Sequence, residues 1–295
     1  METSVQTELD VSGNSLGVRA STAVHLGRVA SWLSRKTGRS GAIIGGRVAQ
    51  AVAPDLLCQL AAGRRIALVT GTNGKTTTTH LICAALRANF DGVTSNETGA
   101  NMVDGHIAAL ARDLRARYAA LEVDELHLDL VAREVAPDVI VLLNLSRDQL
   151  DRAQEIHRVA DRIHGAVRDN PQAVVVANTD DPSLVSAAEP AGRVVWVAAG
   201  MRWLADHTCC PRCARMLTIG ADDWWCACGL RRPTPQWTLS GDIVHGPDGT
   251  MHPLDLPIPG EANRGNAAMA LAAASVLGCQ LDKAVSAMRQ ITQIQ

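Results

Sequence analysis

Aromatic residues are scarce in this chain: one Phe, one Tyr and six Trp among 295 residues. The interior therefore has to be built from Ala, Val, Leu and Ile rather than from stacked rings. Long apolar runs are missing too. None reaches the roughly 18 residues that cross a bilayer, and the Ala-rich stretch from Ala267 to Cys279 is too short, so no transmembrane segment is expected. There is no excess of positive charge: 28 Lys and Arg face 30 Asp and Glu, a net of -2, which excludes a global field for nucleic acid. Residues 1–24 lack the basic start and apolar centre of a secretory signal; they are expected to form a flexible tail, and the cytoplasm is the expected location. Apolar residues make up 47 % of the chain, which excludes disorder as the main state.

Leu26, Val29, Trp32 and Leu33 recur at helical spacing, while Gly38, Gly41, Gly45 and Gly46 predict a turn before a second helix through Ala49 to Leu60. Residues 25–63 thus form an N-terminal helical and glycine-rich segment. A different regime covers 64–295. Apolar runs at Ile66–Val69, Ala119–Val123, Val139–Leu143, Val174–Ala177 and Val194–Val197 alternate with helix-like stretches at Leu126–Val135, Gln154–Val167 and Pro182–Ala188. Branched strands separated by helices predict a doubly wound parallel α/β sheet. Residues 206–233 interrupt it as an insertion. Turn signals between Trp237 and Pro259 predict short strands, Arg264–Leu277 an Ala-rich helix, and Asp282 the cap of another.

The strongest local signal is Gly71-Thr-Asn-Gly-Lys-Thr-Thr77, placed after an apolar strand and at the start of a helix as a P-loop requires. Its glycines let backbone N–H groups converge on an anion, and the helix start adds partial positive charge. Lys75 would bridge the outer phosphates of a nucleotide, and the Thr76 hydroxyl would coordinate Mg²⁺. The strict pattern has glycine where this chain has Val69. Glu122, at the end of a predicted strand, is the expected carboxylate ligand of Mg²⁺, whereas Asp124 and Glu125 read as the acidic first turn of a helix.

Five of the eight cysteines fall within twenty residues. Cys210 and Cys213 form one thiolate pair and Cys226 and Cys228 a second, a set suited to a structural tetrahedral Zn²⁺. The second pair is one residue shorter than the usual spacing, which leaves Cys209 as a substitute ligand. Trp224 and Trp225 are expected to pack against this ribbon. Cys58, Cys83 and Cys279 read as buried small hydrophobes.

The Gly71–Thr77 loop, Thr94-Ser-Asn-Glu-Thr-Gly-Ala-Asn-Met102, Asn178-Thr-Asp-Asp-Pro182 and Pro259-Gly-Glu-Ala-Asn-Arg-Gly-Asn266 together resemble the Mur ligases of peptidoglycan synthesis. Leu143-Asn-Leu-Ser-Arg-Asp-Gln-Leu-Asp-Arg152 and the cysteine cluster narrow the resemblance to the MurT type, the synthetase subunits of lipid II isoglutaminyl synthases. It implies a Mur ligase central domain with an inserted zinc ribbon. It also implies ATP-dependent amidation of the α-carboxylate of D-glutamate in the lipid II stem peptide, through an acyl phosphate, with ammonia from a GatD-type glutaminase partner. The inner face of the membrane, where lipid II lies, becomes an implied place of work. Asn263 and Asn266 match the family's adenine-side motif, although Asn263 reads equally as a helix cap. Asp148 and Asp151 are either polar contacts near substrate or an acidic helix start. His127, His157 and His164 read as solvent-facing or satisfied side chains. The family's catalytic aspartate belongs to a C-terminal ligase domain that these 295 residues are expected to lack. The alternatives are a non-catalytic nucleotide- and zinc-binding module, or another Mur-like ligase such as folylpolyglutamate synthetase.

Overall fold

Three helices precede the first strand in the computed structural model, which describes residues 16–36, 41–96, 100–145, 153–200 and 208–293. They are α1 (Val18–Lys36), α2 (Gly41–Val52) and α3 (Leu56–Ala61). Two expectations change here. The tail does not extend to residue 24, because α1 begins at Val18 and buries Ala20, Ala23 and Val24. Gly41, Gly45 and Gly46 form no turn; they lie inside α2. The reason is close packing: a Cβ on Gly45 would collide with the Ser31 hydroxyl of α1, and one on Gly46 with the backbone of Asp104. Gly38 lies outside the described residues.

The chain then runs through β1 (Arg65–Thr70), α4 (Lys75–Arg87), β2 (Val93–Ser95), α5 (Val103–Arg112), β3 (Tyr118–Glu122), a 3-10 turn (Glu125–His127), α6 (Leu128–Val135), β4 (Val139–Leu142), α7 (Ala153–Asp169), β5 (Val174–Asn178), α8 (Pro182–Ala187) and β6 (Arg193–Ala198). Two short strands, β7 (Thr218–Ile219) and β8 (Trp224–Trp225), belong to the insertion. β9 (Trp237–Ser240), β10 (Ile243–His245), β11 (Met251–Pro253), α9 (Glu261–Val276) and α10 (Leu281–Met288) complete the described chain. The main sheet has the order β11-β10-β9-β6-β5-β4-β1-β3-β2, with every pairing from β2 to β9 parallel and the β9-β10-β11 end antiparallel.

Both faces of this sheet are covered, so its central strands are apolar throughout. On β1, Ile66 and Leu68 join the core under α3, α5 and α6, while Ala67 and Val69 join the core under α4, α9 and α10. α9 presents Ala267, Ala268, Ala270 and Ala272–Ala274 to the second core, all buried, and their small side chains let it lie close to α4. Asp282 does not cap α10; it lies in the first turn, behind the N-cap Gln280. β2 and α5 carry no clear sequence signal. β2 is three residues long, and α5 holds Gly105, where a Cβ would strike Ala100.

Candidate functional site

β1 pairs with β3 on one side and β4 on the other, so the chain reverses its winding direction at β1. In open α/β sheets that reversal leaves a crevice at the carboxyl ends of the strands. The Gly71–Gly74 loop lies there, between β1 and α4. Gly71 has φ +143 and Gly74 φ +85, the latter a left-handed conformation that alanine adopts only under strain. Gly74 is the N-cap of α4 and supplies no side-chain cap, while the first-turn N–H groups of any helix lack intrahelical acceptors. An anion can take that place.

Asn144, buried just after β4, holds the loop in shape. Its Oδ1 accepts from the Asn73 N–H at 3.0 Å, its Nδ2 donates to the Asn73 carbonyl at 2.9 Å, and its own carbonyl accepts from the Thr72 N–H at 2.8 Å. Sequence reasoning gave Asn144 no role. The available signal was a lone amide directly after a buried strand.

Lys75 Nζ donates to the carbonyls of Gly71, at 2.6 Å, and Thr72, at 3.3 Å, and stands 3.4 Å from Glu125 Oε1. Glu125 is thus a neighbour of Lys75, not simply part of a helix start. Burial raises its pKa and the Lys75 charge partly opposes this. Asp124 takes the capping role: its Oδ1 accepts from the Leu126 N–H at 3.0 Å.

The Thr76 hydroxyl donates to Glu122 Oε2 at 2.8 Å. Two adjacent ligands of an octahedral Mg²⁺ at about 2.1 Å stand about 3.0 Å apart, so this oxygen pair fits such an ion. Glu122 itself is fixed through its backbone. The Asn96 side chain accepts from its N–H and donates to its carbonyl, both at 2.8 Å, and His106 Nε2 donates to the same carbonyl at 2.8 Å. Burial pushes the His106 pKa down to about 4, opposed by that bond, so the ring is neutral at pH 7. Neither Asn96 nor His106 was identified from the sequence as a support of the site. Thr77 follows, half-buried, in the same helical turn.

Asn266 is buried in α9, against Gly74, and its Oδ1 has no hydrogen-bond partner among the described residues. An orphaned acceptor beside an uncapped helix start is consistent with a nucleotide completing the site. Asn263 does not cap α9, whose N-cap is Gly260; its Nδ2 turns back to the Pro259 carbonyl at 2.7 Å. Asp148 and Asp151 lie outside the described residues. His127 bonds Asp124 at 3.2 Å, and His157 and His164 line a cavity with Ser183 and Ser186.

In the insertion, the sulfurs of Cys210, Cys213, Cys226 and Cys228 all lie within 4.8 Å of one another, with Cys210–Cys228 at 3.6 Å and Cys213–Cys226 at 3.5 Å. A tetrahedron with Zn–S bonds of about 2.3 Å has edges of about 3.8 Å, so the set fits zinc. Cys209 is outside this group and bonds the Thr208 hydroxyl at 3.9 Å. Trp224 is buried and its indole N–H donates to the Thr179 carbonyl at 3.0 Å, but Trp225, on the other face of β8, is exposed rather than packed. Arg232 anchors the insertion further, with two bonds to Asp180 Oδ1 at 2.8 and 3.1 Å.

Residues 69–205 match the Mur ligase middle domain. The MurT subunit of the glutamine-hydrolyzing lipid II isoglutaminyl synthase of Staphylococcus aureus (strain COL) is 32 % identical over 241 residues, which cover 76 % of this chain and 54 % of the relative. The MurT subunit of Streptococcus pneumoniae (strain ATCC BAA-255 / R6) is 30 % identical over 245 residues, with the same coverages. The chain therefore spans about half the length of the curated relatives it matches. Among solved structures, a pseudomurein peptide ligase type C from Methanothermus fervidus superposes with a TM-score of 0.65 at 20 % identity, over 82 % of this chain and 52 % of that one. MurF from Acinetobacter baumannii gives 0.60 at 20 % identity, over 83 % and 49 %. With these relatives in sequence and this sheet in structure, residues 69–205 of the chain form a Mur ligase middle domain, and its curated likeness is to the MurT subunits.

Proposed function

We propose that this chain is the nucleotide-binding part of a MurT-type ligase that amidates the α-carboxylate of D-glutamate in the lipid II stem peptide, in peptidoglycan synthesis. The observation that carries the reading is the 2.8 Å pair of Thr76 and Glu122 oxygens at the open start of α4, with Lys75 in the same turn. ATP would lie with its phosphates against Gly71–Thr77 and its base toward Asn266, with Asn263 on the same helix. Mg²⁺ held by Thr76 and Glu122 would offset phosphate charge. Lys75, released from the Gly71 and Thr72 carbonyls, would neutralise the phosphoryl group as the substrate carboxylate attacks the γ-phosphorus and ADP leaves. The acyl phosphate so formed is attacked by ammonia; the C–N bond forms and phosphate departs. A GatD-type glutaminase would supply the ammonia, in keeping with the glutamine-hydrolyzing designation of the relatives. Zn²⁺ on Cys210, Cys213, Cys226 and Cys228 would hold the insertion together. Its closed four-thiolate shell leaves no position for substrate.

The test has two stages. Calorimetric titration with ATP and Mg²⁺ should show binding that Lys75→Met and Thr76→Ala each weaken at least about tenfold, as expected for charge-assisted contacts. Reconstitution with a GatD-type glutaminase, glutamine, lipid II and the C-terminal domain of a MurT relative should then give amidated lipid II. Folded protein that takes up no nucleotide overturns the reading; nucleotide binding with amidation of a different acceptor overturns the substrate alone.

A further inference from the structure

We propose that α1 docks the protein on an anionic lipid surface. This helix is inverted relative to ordinary packing. Its small residues are buried: Ala20, Ala23 and Val24 face inward, and Gly27 meets Gly45 of α2. Its large apolar residues face out, with Val18 87 %, Leu26 45 %, Val29 55 %, Trp32 51 % and Leu33 52 % exposed. At 100° per residue these five fall within an arc about 120° wide. Thr22, His25 and Lys36 share the arc; the Thr22 hydroxyl and His25 Nδ1 bond back to the helix's own carbonyls of Val18 and Ser21, and Lys36 adds a cation at its C-terminal end.

Charge selects the occupant. Residues 11–54 contain no Asp or Glu, whereas Arg19, Arg28, Arg35, Lys36, Arg39 and Arg47 make the segment strongly positive in a chain of net charge -2. Arg19 and Arg28 donate to the carbonyls of Val52 and Ala111 and meet no carboxylate among the described residues; Arg47 pairs with Asp104. A basic helix with a Trp-, Leu- and Val-bearing outer face is the composition that lies in a bilayer interface. A second copy fits less well, because a two-fold contact would set this positive segment against itself. The inference goes beyond the ligase reading and does not depend on the nucleotide site.

The experiment is co-sedimentation of the full 295-residue chain with phosphatidylcholine vesicles, with and without phosphatidylglycerol, at low and high salt. Binding is expected only with phosphatidylglycerol and should weaken with salt. The combined Leu26→Ser, Val29→Ser, Trp32→Ser and Leu33→Ser variant should lose at least about tenfold in partitioning. These four residues face solvent, so a native circular dichroism spectrum and unchanged ATP uptake accompany the loss. A second variant, R35Q/K36Q/R39Q, should reduce binding while keeping the apolar face. The proposal is overturned by a wild-type chain that ignores anionic vesicles or by a serine variant that binds as well as wild type. It is equally overturned if the chain binds vesicles only after deletion of residues 1–15.

Discussion

Gly74→Ala probes the loop most directly. At φ +85 an alanine costs about 1–2 kcal/mol in backbone strain alone. Its Cβ would also collide with Asn266 Oδ1 and lie 2.9 Å from the Asn266 Cγ. Asn266 is 3 % exposed and cannot swing into solvent, so overpacking adds about 1–3 kcal/mol. The expected loss in unfolding free energy is therefore about 2–5 kcal/mol, read by urea titration. Asn266→Ala separates the two contributions. It removes an acceptor that already lacks a partner, so its own effect on stability without nucleotide should be small. Combined with Gly74→Ala it should restore the packing share, about 1–3 kcal/mol, and leave the backbone share. A single variant within about 0.5 kcal/mol of wild type, or strict additivity in the double variant, would refute this account of the loop.

Other outcomes follow from the same contacts. The His106 pKa is depressed from 6.5 to about 4, so its contribution to stability is present above pH 6.5 and is lost as pH falls toward 4. That amounts to about 3 kcal/mol over the window, and His106→Gln should flatten the pH dependence of urea unfolding; an unchanged slope assigns it elsewhere. Glu125 has the opposite sign. With its pKa raised above 4.5, its contribution is present below pH 4.5 and is lost as pH rises through the raised value. Lys75→Met removes the opposing charge and should raise the Glu125 pKa further in a carboxyl NMR titration, and a fall would contradict the contact. Cys213→Ser should strip zinc and shift the Trp224 emission while hydrogen exchange in β1 and β4 stays slow, whereas Cys209→Ser should retain zinc by metal analysis.

Parts of the molecule were readable because their signal is local. The strands Ile66–Val69, Val139–Leu143 and Val174–Ala177 announce themselves as branched runs between helices, since a sheet covered on both faces needs apolar side chains at every position. The Gly71–Thr77 loop was legible because only glycine readily adopts the positive φ that this strand-to-helix turn needs. The insertion declared itself through its paired cysteines. Other parts gave misleading or weak signals. Gly45 and Gly46 read as chain breakers, yet they are helix contacts, because a missing side chain serves a turn and a close approach alike. β2 is too short to show a period, and α5 hides behind Gly105.

The sequence by itself determined the mostly parallel α/β layout, the glycine-bearing loop between β1 and α4 and the insertion with its paired cysteines, for each depends on residue type and spacing along the chain. Only the tertiary structure decided what surrounds them. It brought Thr76 and Glu122 to 2.8 Å, set Glu125 beside Lys75, clasped the loop with Asn144, pressed Asn266 against Gly74 and turned the apolar face of α1 outward. Those juxtapositions join residues tens to nearly two hundred positions apart. They follow from strand order and helix packing, which a local pattern does not encode.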